Sequence, residues 1–170
     1  IPYIATKNVG FNHEIEYASG VKIPIAKQEG FRLAPPNSVL VCAEGGSAGR
    51  KIAYTDREVF FGNKLFAVCP KPPINSRFVF YKCVSEDFAR EFKDAMAGLI
   101  GGVSINKFKT FSISLPSVSE QNRIVGILDK AFEGIATAKA NAEKNHQDAR
   151  ALFESLLNTA IQGELIPQDS

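Results

Sequence analysis

The chain has 170 residues, 45% of them hydrophobic and 22% charged, which is ordinary for a globular protein with one sizeable core. Three cysteines without a Cys-x-x-Cys pair argue against a secreted disulfide framework, and no apolar stretch has the length of a membrane-spanning helix. The net charge of +2 divides unevenly, because residues 1–116 hold 15 Lys/Arg against 10 Asp/Glu and residues 117–170 hold 5 against 8. A basic part is therefore joined to an acidic part, and the basic part suits a partner with phosphates.

The first two thirds of the chain have the pattern of an α+β domain. Segments rich in Val, Ile, Phe and Tyr, separated by clusters of Gly, Pro and Asn, predict strands at residues 23–25, 38–43, 51–54, 64–68, 78–81 and 111–115. One helix interrupts them. Ser85 is suited to cap it, Glu86 and Asp87 fill its first turn, and it is expected to end near Gly98 or Gly101. We expect a mixed or antiparallel, β-rich domain with a short helix.

After Pro116 the pattern changes to one long helix that begins near Ser119 and ends before Gly163 and Pro167. Apolar or small residues recur at alternating spacings of four and three, which is typical of a coiled-coil seam. The seam residues are Ile124, Leu128, Ala131, Ile135, Ala138, Ala142, Asn145, Ala149, Leu152, Leu156 and Thr159. Gly134 allows a break, and the helix folding back on its own domain is an alternative.

The middle of this seam is composed of small or polar residues, so two helix axes can approach closely there, and a single Asn at a seam position sets the register. We therefore expect the helix to pair with a second copy, parallel or antiparallel. The residues expected at the helix pairing are Leu128, Ile135, Ala142, Asn145, Ala149, Leu152 and Leu156.

The run Gly45-Gly46-Ser47-Ala48-Gly49 matches the G-x-S-x-G motif of serine hydrolases and follows a predicted strand. That motif requires a helix after the serine, whereas the residues here continue as a strand. His13 precedes the serine and His146 lies on the long helix, so neither is well placed for a catalytic triad. The preferred interpretation is an exposed loop whose glycines and N–H groups allow close approach to a phosphate or a base, and a simple hairpin turn is the alternative.

Basic and amide residues concentrate in the predicted loops of the first part. Arg reads guanine and Asn reads adenine through paired hydrogen bonds, whereas Lys mostly neutralises phosphate. The candidate DNA-binding residues are Lys7, Asn8, Ser47, Arg50, Lys51, Asn63, Lys64, Arg77, Asn106 and Lys107. The neighbouring aromatic residues, Phe11 among them, are expected to lie mostly in the core.

The sequence predicts no metal site, no cofactor and no catalytic residue, since its two histidines and three cysteines lack ligand spacing. Without a signal peptide, we expect a cytoplasmic protein whose three thiols are buried and unreactive. The chain opens at Ile1 instead of Met, so its numbering is expected to begin inside a larger reading frame.

Two motifs flank the long helix. The entry Leu115-Pro116-Ser117-Val118-Ser119-Glu120-Gln121-Asn122-Arg123-Ile124-Val125 and the exit Gly163-Glu164-Leu165-Ile166-Pro167-Gln168 resemble those around the helices of the specificity subunit of type I restriction–modification enzymes. The opening Ile1-Pro2-Tyr3-Ile4 and the run from Gly98 to Phe108 are also similar to family landmarks. Ser117 and Val118 depart mildly from the family's entry motif.

This resemblance implies a non-catalytic subunit that binds double-stranded DNA. In the family, two target-recognition domains held apart by an antiparallel coiled coil each read half of a bipartite site, and methylation and restriction subunits assemble on them. Here the resemblance implies a target-recognition domain at residues 1–116 and, at residues 117–170, a helical region for dimerisation, spacing and docking of the methylation subunit. Because the chain has a single domain, we expect either a natural half-subunit that forms a homodimer or a fragment of a two-domain subunit.

Two other functions remain open at this point. The chain can be a coiled-coil assembly module whose globular part reads no DNA. It can also be a serine hydrolase, an interpretation that depends on the motif at Ser47 alone.

Overall fold

The computed structural model describes residues 1–19, 21–24, 29–97 and 101–162, and in these residues seven strands form two sheets. The strands are β1 (Pro2–Ile4), β2 (Val21–Lys22), β3 (Arg32–Ala34), β4 (Ser38–Cys42), β5 (Ile52–Thr55), β6 (Val59–Phe61) and β7 (Leu65–Val68). A 3₁₀ turn spans Thr6–Asn8, and the helices are α1 (Ser76–Val84), α2 (Glu86–Ala95), α3 (Ile105–Phe108) and α4 (Val118–Ile161). The fold is α+β, as the sequence predicts.

One sheet is mixed and the other is antiparallel. The four-stranded sheet has the order β2-β1-β6-β3, in which β1 and β6 are parallel and the other pairs antiparallel. The three-stranded sheet has the order β5-β4-β7, with Val41 opposite Ile52 and Cys42 opposite Leu65. Every residue of the central strand β4 is buried, which explains its continuous apolar sequence.

Two predicted strands are wrong. Residues 78–81 lie in α1, whose N-terminus is capped by the Asn75 side chain, which accepts hydrogen bonds from the N–H groups of Arg77 and Phe78. A short, continuous apolar run does not distinguish a buried helix from a buried strand by its periodicity. Residues 111–115 form no strand, and Phe111 instead packs against other phenylalanine rings. The predicted strand at 23–25 is displaced to Val21–Lys22, and Ile25 lies outside the described residues.

The helix expected after Ser85 is confirmed as α2, with the Ser85 side chain accepting a hydrogen bond from the Phe88 N–H. Its apolar face buries Phe88 and Phe92, and it ends at Ala95, before the predicted end. The buried face belongs to a cluster of aromatic rings within contact distance of one another, formed by Phe66, Phe88, Phe92, Phe108 and Phe111. This cluster joins α2 and α3 to β7.

The long helix α4 begins at Val118, where the Ser117 hydroxyl accepts a hydrogen bond from the Glu120 N–H. It continues to Ile161 without the break that Gly134 allows, because helical backbone tolerates glycine at a cost of about 1 kcal/mol. The predicted end signals at Gly163 and Pro167 lie outside the described residues.

The chain divides into two compact units, Ile1–Val125 and Gly126–Ser170. The first two turns of α4 belong to the first unit, where Gln121 and Val125 are buried. The Gln121 side chain accepts a hydrogen bond from the Asn75 N–H and donates one to the Pro116 carbonyl, both at 2.9 Å. The oxygen and the nitrogen of this buried side-chain amide each have a hydrogen-bond partner, so Gln121 anchors the start of the helix to the rest of the first unit.

Candidate nucleic-acid interface

Two loops that carry candidate DNA-binding residues lie at one end of the three-stranded sheet. β4 ends there at Cys42, β5 begins at Ile52 and β7 begins at Leu65, as the strand register requires. The loop of residues 43–51 and the turn of residues 62–64 therefore leave the sheet side by side. The candidate residues that these two segments bring together are Ser47, Arg50, Lys51, Asn63 and Lys64.

The β4–β5 loop is fixed by its own hydrogen bonds. The N–H of Gly45 donates to Gly101 O (2.8 Å) and that of Gly49 donates to Cys42 O (2.9 Å). The N–H groups of Arg50 and Lys51 both donate to Ser47 O. Within the described part of the chain, the N–H groups of Gly46 and Ser47 have no acceptor. Both of these donors are available to an incoming phosphate or base.

The loop does not have the hydrolase context of its G-x-S-x-G match. Ser47 lies in a turn that leads directly into β5, whereas a nucleophile elbow leads into a helix. The ring nitrogen Nδ1 of His13 lies 2.9 Å from Ile52 O, so this histidine is bonded to the backbone of β5. The observations at Ser47 therefore support the interpretation as an exposed loop.

Two cations at the exit of the loop lie over one aromatic ring. The Arg50 guanidinium carbon is 5.0 Å and the Lys51 ammonium 5.1 Å from the centroid of the Phe11 ring. Lys51 also donates to the Thr6 carbonyl at 3.2 Å, which places the exposed Lys7 close by. Phe11 is 57% exposed and is therefore an exception to the expectation that most of the phenylalanines lie in the core. Cation–π contacts hold both charges at the surface and limit their rotamers.

A groove lies beside the turn of residues 62–64 and is lined by polar side chains as well as by the segment after residue 100. The polar residues that line it are Arg32, Glu44, Asn63, Lys64 and Ser104. Lys64 and Glu44 form an exposed ion pair with a nitrogen–oxygen distance of 3.3 Å. Sequence reasoning missed Arg32 and Glu44 because neither lies in a cluster of basic and amide residues along the chain.

The fold places four other candidate residues elsewhere. Asn8 is buried, and its side chain accepts a hydrogen bond from the Ala5 N–H and donates to Ser19 Oγ, so the fold uses it and a base cannot reach it. Arg77 lies at the opposite end of the sheet, over the ring of Tyr54. Lys107 lines a different groove with Asp87, Glu91 and Asp94, whose carboxylates disfavour phosphate. Asn106 is exposed on α3.

The cysteines are not all buried as expected. Cys42 and Cys83 are buried, and burial raises the pKa of the Cys83 thiol to about 12, whereas Cys69 is exposed. In the described residues, no group of three or more His, Cys, Asp or Glu side chains is arranged to hold a metal ion. No described helix is both long and apolar enough to cross a membrane.

Among the described residues, the second unit is the remainder of α4, and most of its apolar side chains are exposed. Of the predicted seam, Ile135 is 62%, Leu152 61% and Leu156 49% exposed. Exposed aromatic rings of Phe132 and Phe153 flank this seam. The smaller seam residues Ala142, Asn145 and Ala149 are also exposed, and Leu128 is partly buried. Together these side chains form an extended apolar surface along the helix.

The model of the type I restriction modification DNA specificity domain matches residues 1–145 of this chain. The chain belongs to this family. Nine chains of known structure match significantly. One comes from a study of complex assembly and conformational transition of the type I R-M system, with a TM-score of 0.73 and 18% identity. Another is the HsdS subunit from Thermoanaerobacter tengcongensis, with a TM-score of 0.55 and 22% identity.

These similarities show a shared fold. The alignment with the type I R-M chain covers 97% of this chain and 39% of the other, and that with HsdS covers 78% and 31%. The specificity-domain chain therefore spans 39% and 31% of the length of these two structures. The resemblance inferred from the helix-entry motif at Gln121 is confirmed by the family match.

Proposed function

We propose that this specificity-domain chain is a non-catalytic DNA-binding subunit that reads half of a bipartite site. The proposal is based on one observation. The β4–β5 loop, the turn of residues 62–64 and the two cations over the Phe11 ring all lie at one end of the three-stranded sheet, in the basic part of the chain. Arg50 supplies a fork of donors for a base edge, Lys7 and Lys51 supply charge for phosphate, and the free N–H groups of Gly46 and Ser47 supply neutral donors.

The residues of the interface have different expected roles. Arg50 is exposed and held over Phe11, which lowers the entropy lost when it binds a base edge. Lys64 is paired with Glu44, so its charge is partly neutralised before DNA arrives. Asn106, on α3, is a peripheral candidate, and we leave Asn8, Arg77 and Lys107 outside the proposed interface.

Salt-dependent binding separates the two roles experimentally. Arg50→Ala is expected to weaken binding to the selected duplex by about 1–3 kcal/mol and to change binding to random duplexes little. Lys7→Ala and Lys51→Ala are expected to weaken binding to all duplexes alike and to reduce the slope of log affinity against log salt by about one unit each. An equal loss on every duplex for Arg50→Ala would show that Arg50 contacts only phosphate.

We further propose that residues 117–170 pair with a second copy of the chain and serve as the spacer between two recognition domains. Exposed seam leucines support the pairing, because isolated helices with such a face are stabilised mainly by a partner. The flanking rings of Phe132 and Phe153 widen the apolar face beyond a two-helix seam, which suits the docking of a methylation subunit beside the pair. The restriction subunit would join this assembly.

The seam is tested by sedimentation. The unmodified chain is expected to be a dimer at micromolar concentration, and Leu152→Glu with Leu156→Glu is expected to be a monomer, since two charges per chain enter an apolar seam. The control, Gln147→Glu with Asn158→Glu, adds the same charge off the seam and should leave the dimer intact. A monomeric unmodified chain would refute pairing with a second copy.

The same exposed seam also supports an alternative function, a coiled-coil assembly module that reads no DNA. It predicts a dimer whose affinity for DNA is equal on all sequences. A selection of duplexes from a random pool, with the methylation subunit present, decides between the two, because only a DNA-reading subunit enriches a sequence.

A further inference from the structure

Arg32 and Asn63 form a joined pair on one wall of the groove beside the turn of residues 62–64. The Arg32 Nη2 group donates to Gly62 O (2.6 Å) and to Asn63 Oδ1 (3.3 Å). Its guanidinium carbon lies 4.7 Å from the centroid of the Phe61 ring. Both side chains are exposed, so the pair is fixed in position and still accessible.

The turn that carries Asn63 is itself held rigidly. The Gly62 N–H donates to Ile4 O at 2.9 Å, and the Leu65 N–H donates to Gly62 O at 3.1 Å. A Cβ at residue 62 would lie 2.9 Å from the Tyr3 hydroxyl, so the glycine allows the turn to pack against β1. The donors of the pair are therefore oriented before a ligand arrives.

The hydrogen bond between the two side chains limits what Asn63 can recognise. Reading adenine requires the amide of Asn to accept from N6 and donate to N7. Here the Arg32 guanidinium already occupies one lone pair of the accepting oxygen and places a positive charge beside it, which disfavours an adenine amino group as a second donor. Guanine presents two acceptors, O6 and N7, in the major groove. The free N–H groups of Asn63 and Arg32 match that edge.

A second feature of the groove argues for a base edge and against phosphate. The carboxylate of Glu44 lines the groove and is 49% exposed. The ion pair with Lys64 offsets this negative charge only in part, so a phosphate would still be repelled, whereas a neutral base edge would not. A carboxylate can also accept from the amino group of cytosine. The groove thus combines donors for guanine with an acceptor for its paired base.

We propose that Arg32 is a specificity-determining residue, which by holding Asn63 Oδ1 makes the groove select guanine over adenine at one position of the DNA site. This inference rests on the proposed DNA-binding function and adds a residue and a base preference to it. Loss of Arg32 would free the Asn63 amide to present its donor and acceptor together, the arrangement that adenine requires.

The experiment is a selection of duplexes from a random pool by the full chain assembled with the methylation subunit. The unmodified chain is expected to enrich guanine at one position about tenfold over adenine. Arg32→Ala should remove that preference and enrich adenine at the same position, with the other positions unchanged. Lys22→Ala, which removes an exposed cation of the same sheet outside the groove, is the matched control and should leave the preference for guanine intact.

A second variant guards against loss of folding in Arg32→Ala. Asn63→Asp keeps an acceptor for Arg32 and replaces the donor that guanine requires, so guanine enrichment should fall about tenfold. Unchanged base preferences in both variants, or equal weakening on every duplex, would overturn the role of the pair while sequence-specific binding stands. If the unmodified chain enriches no sequence, the proposed function itself is refuted.

Discussion

Gly49 is the position at which the β4–β5 loop is most sensitive to a single methyl group. Its φ is +67°, and a Cβ built on it would lie 2.5 Å from Cδ1 and 2.8 Å from Cγ of Phe92. Phe92 is 1% exposed and belongs to the aromatic cluster, so it has little room to move. The left-handed backbone costs alanine about 1–2 kcal/mol, and overpacking of a core costs about 1–3 kcal/mol.

Gly49→Ala is therefore expected to lower the free energy of unfolding by about 2–5 kcal/mol. For a unit of this size each kcal/mol shifts Tm by about 3–5 °C, so a fall of about 6–25 °C is expected. Gly46→Ala is the matched control in the same loop. A Cβ at residue 46 would meet nothing within 4 Å, so its Tm should stay within about 2 °C of the unmodified chain.

Near-UV circular dichroism is the suitable assay. The chain has no Trp, and its four tyrosines, at positions 3, 17, 54 and 81, all lie in the unit Ile1–Val125. The tyrosine signal thus reports unfolding of that unit without interference from the long helix. Equal Tm values for Gly49→Ala and Gly46→Ala would refute the packing of Phe92 against the loop and, with it, the fixed loop conformation on which the interface depends.

Two further predictions concern the spacer and the thiols. Two identical domains related by a two-fold axis would read identical half-sites in opposite orientation, so the expected target is an interrupted palindrome. Deletion of residues 139–145 removes one heptad and shortens each helix by about 10 Å, so the half-sites should move closer by a few base pairs with their sequences unchanged. An unchanged separation of the half-sites would show that the helix does not set the distance. A thiol reagent at pH 8 should label Cys69 rapidly and Cys83 only on unfolding. Rapid labelling of Cys83 in the folded chain would contradict its burial. Burial raises the pKa of the Cys83 thiol from 9.0 to about 12, so the stability that the protonated thiol contributes should be present below pH 9 and fall between pH 9 and 12.

Local sequence determined the features that depend on neighbouring residues alone. The cap at Ser85, the helix that follows it, the long helix from Val118 and the strand around β4 each arise from propensity, capping or a continuous apolar run. The family resemblance also came from local sequence, namely the motifs that flank the long helix and the landmarks upstream of it, and the family match confirms it.

Tertiary structure decided which polar residues share a surface. Asn8 and Asn63 are equally polar in sequence, yet the first is buried with its amide satisfied and the second is exposed beside Arg32. Phe11 is exposed under two cations, whereas Phe92 is buried against Gly49. Strand order and register bring residues 43–51 and 62–64 to the same end of one sheet, and these long-range pairings leave no local signal in the sequence because they depend on contacts between distant segments.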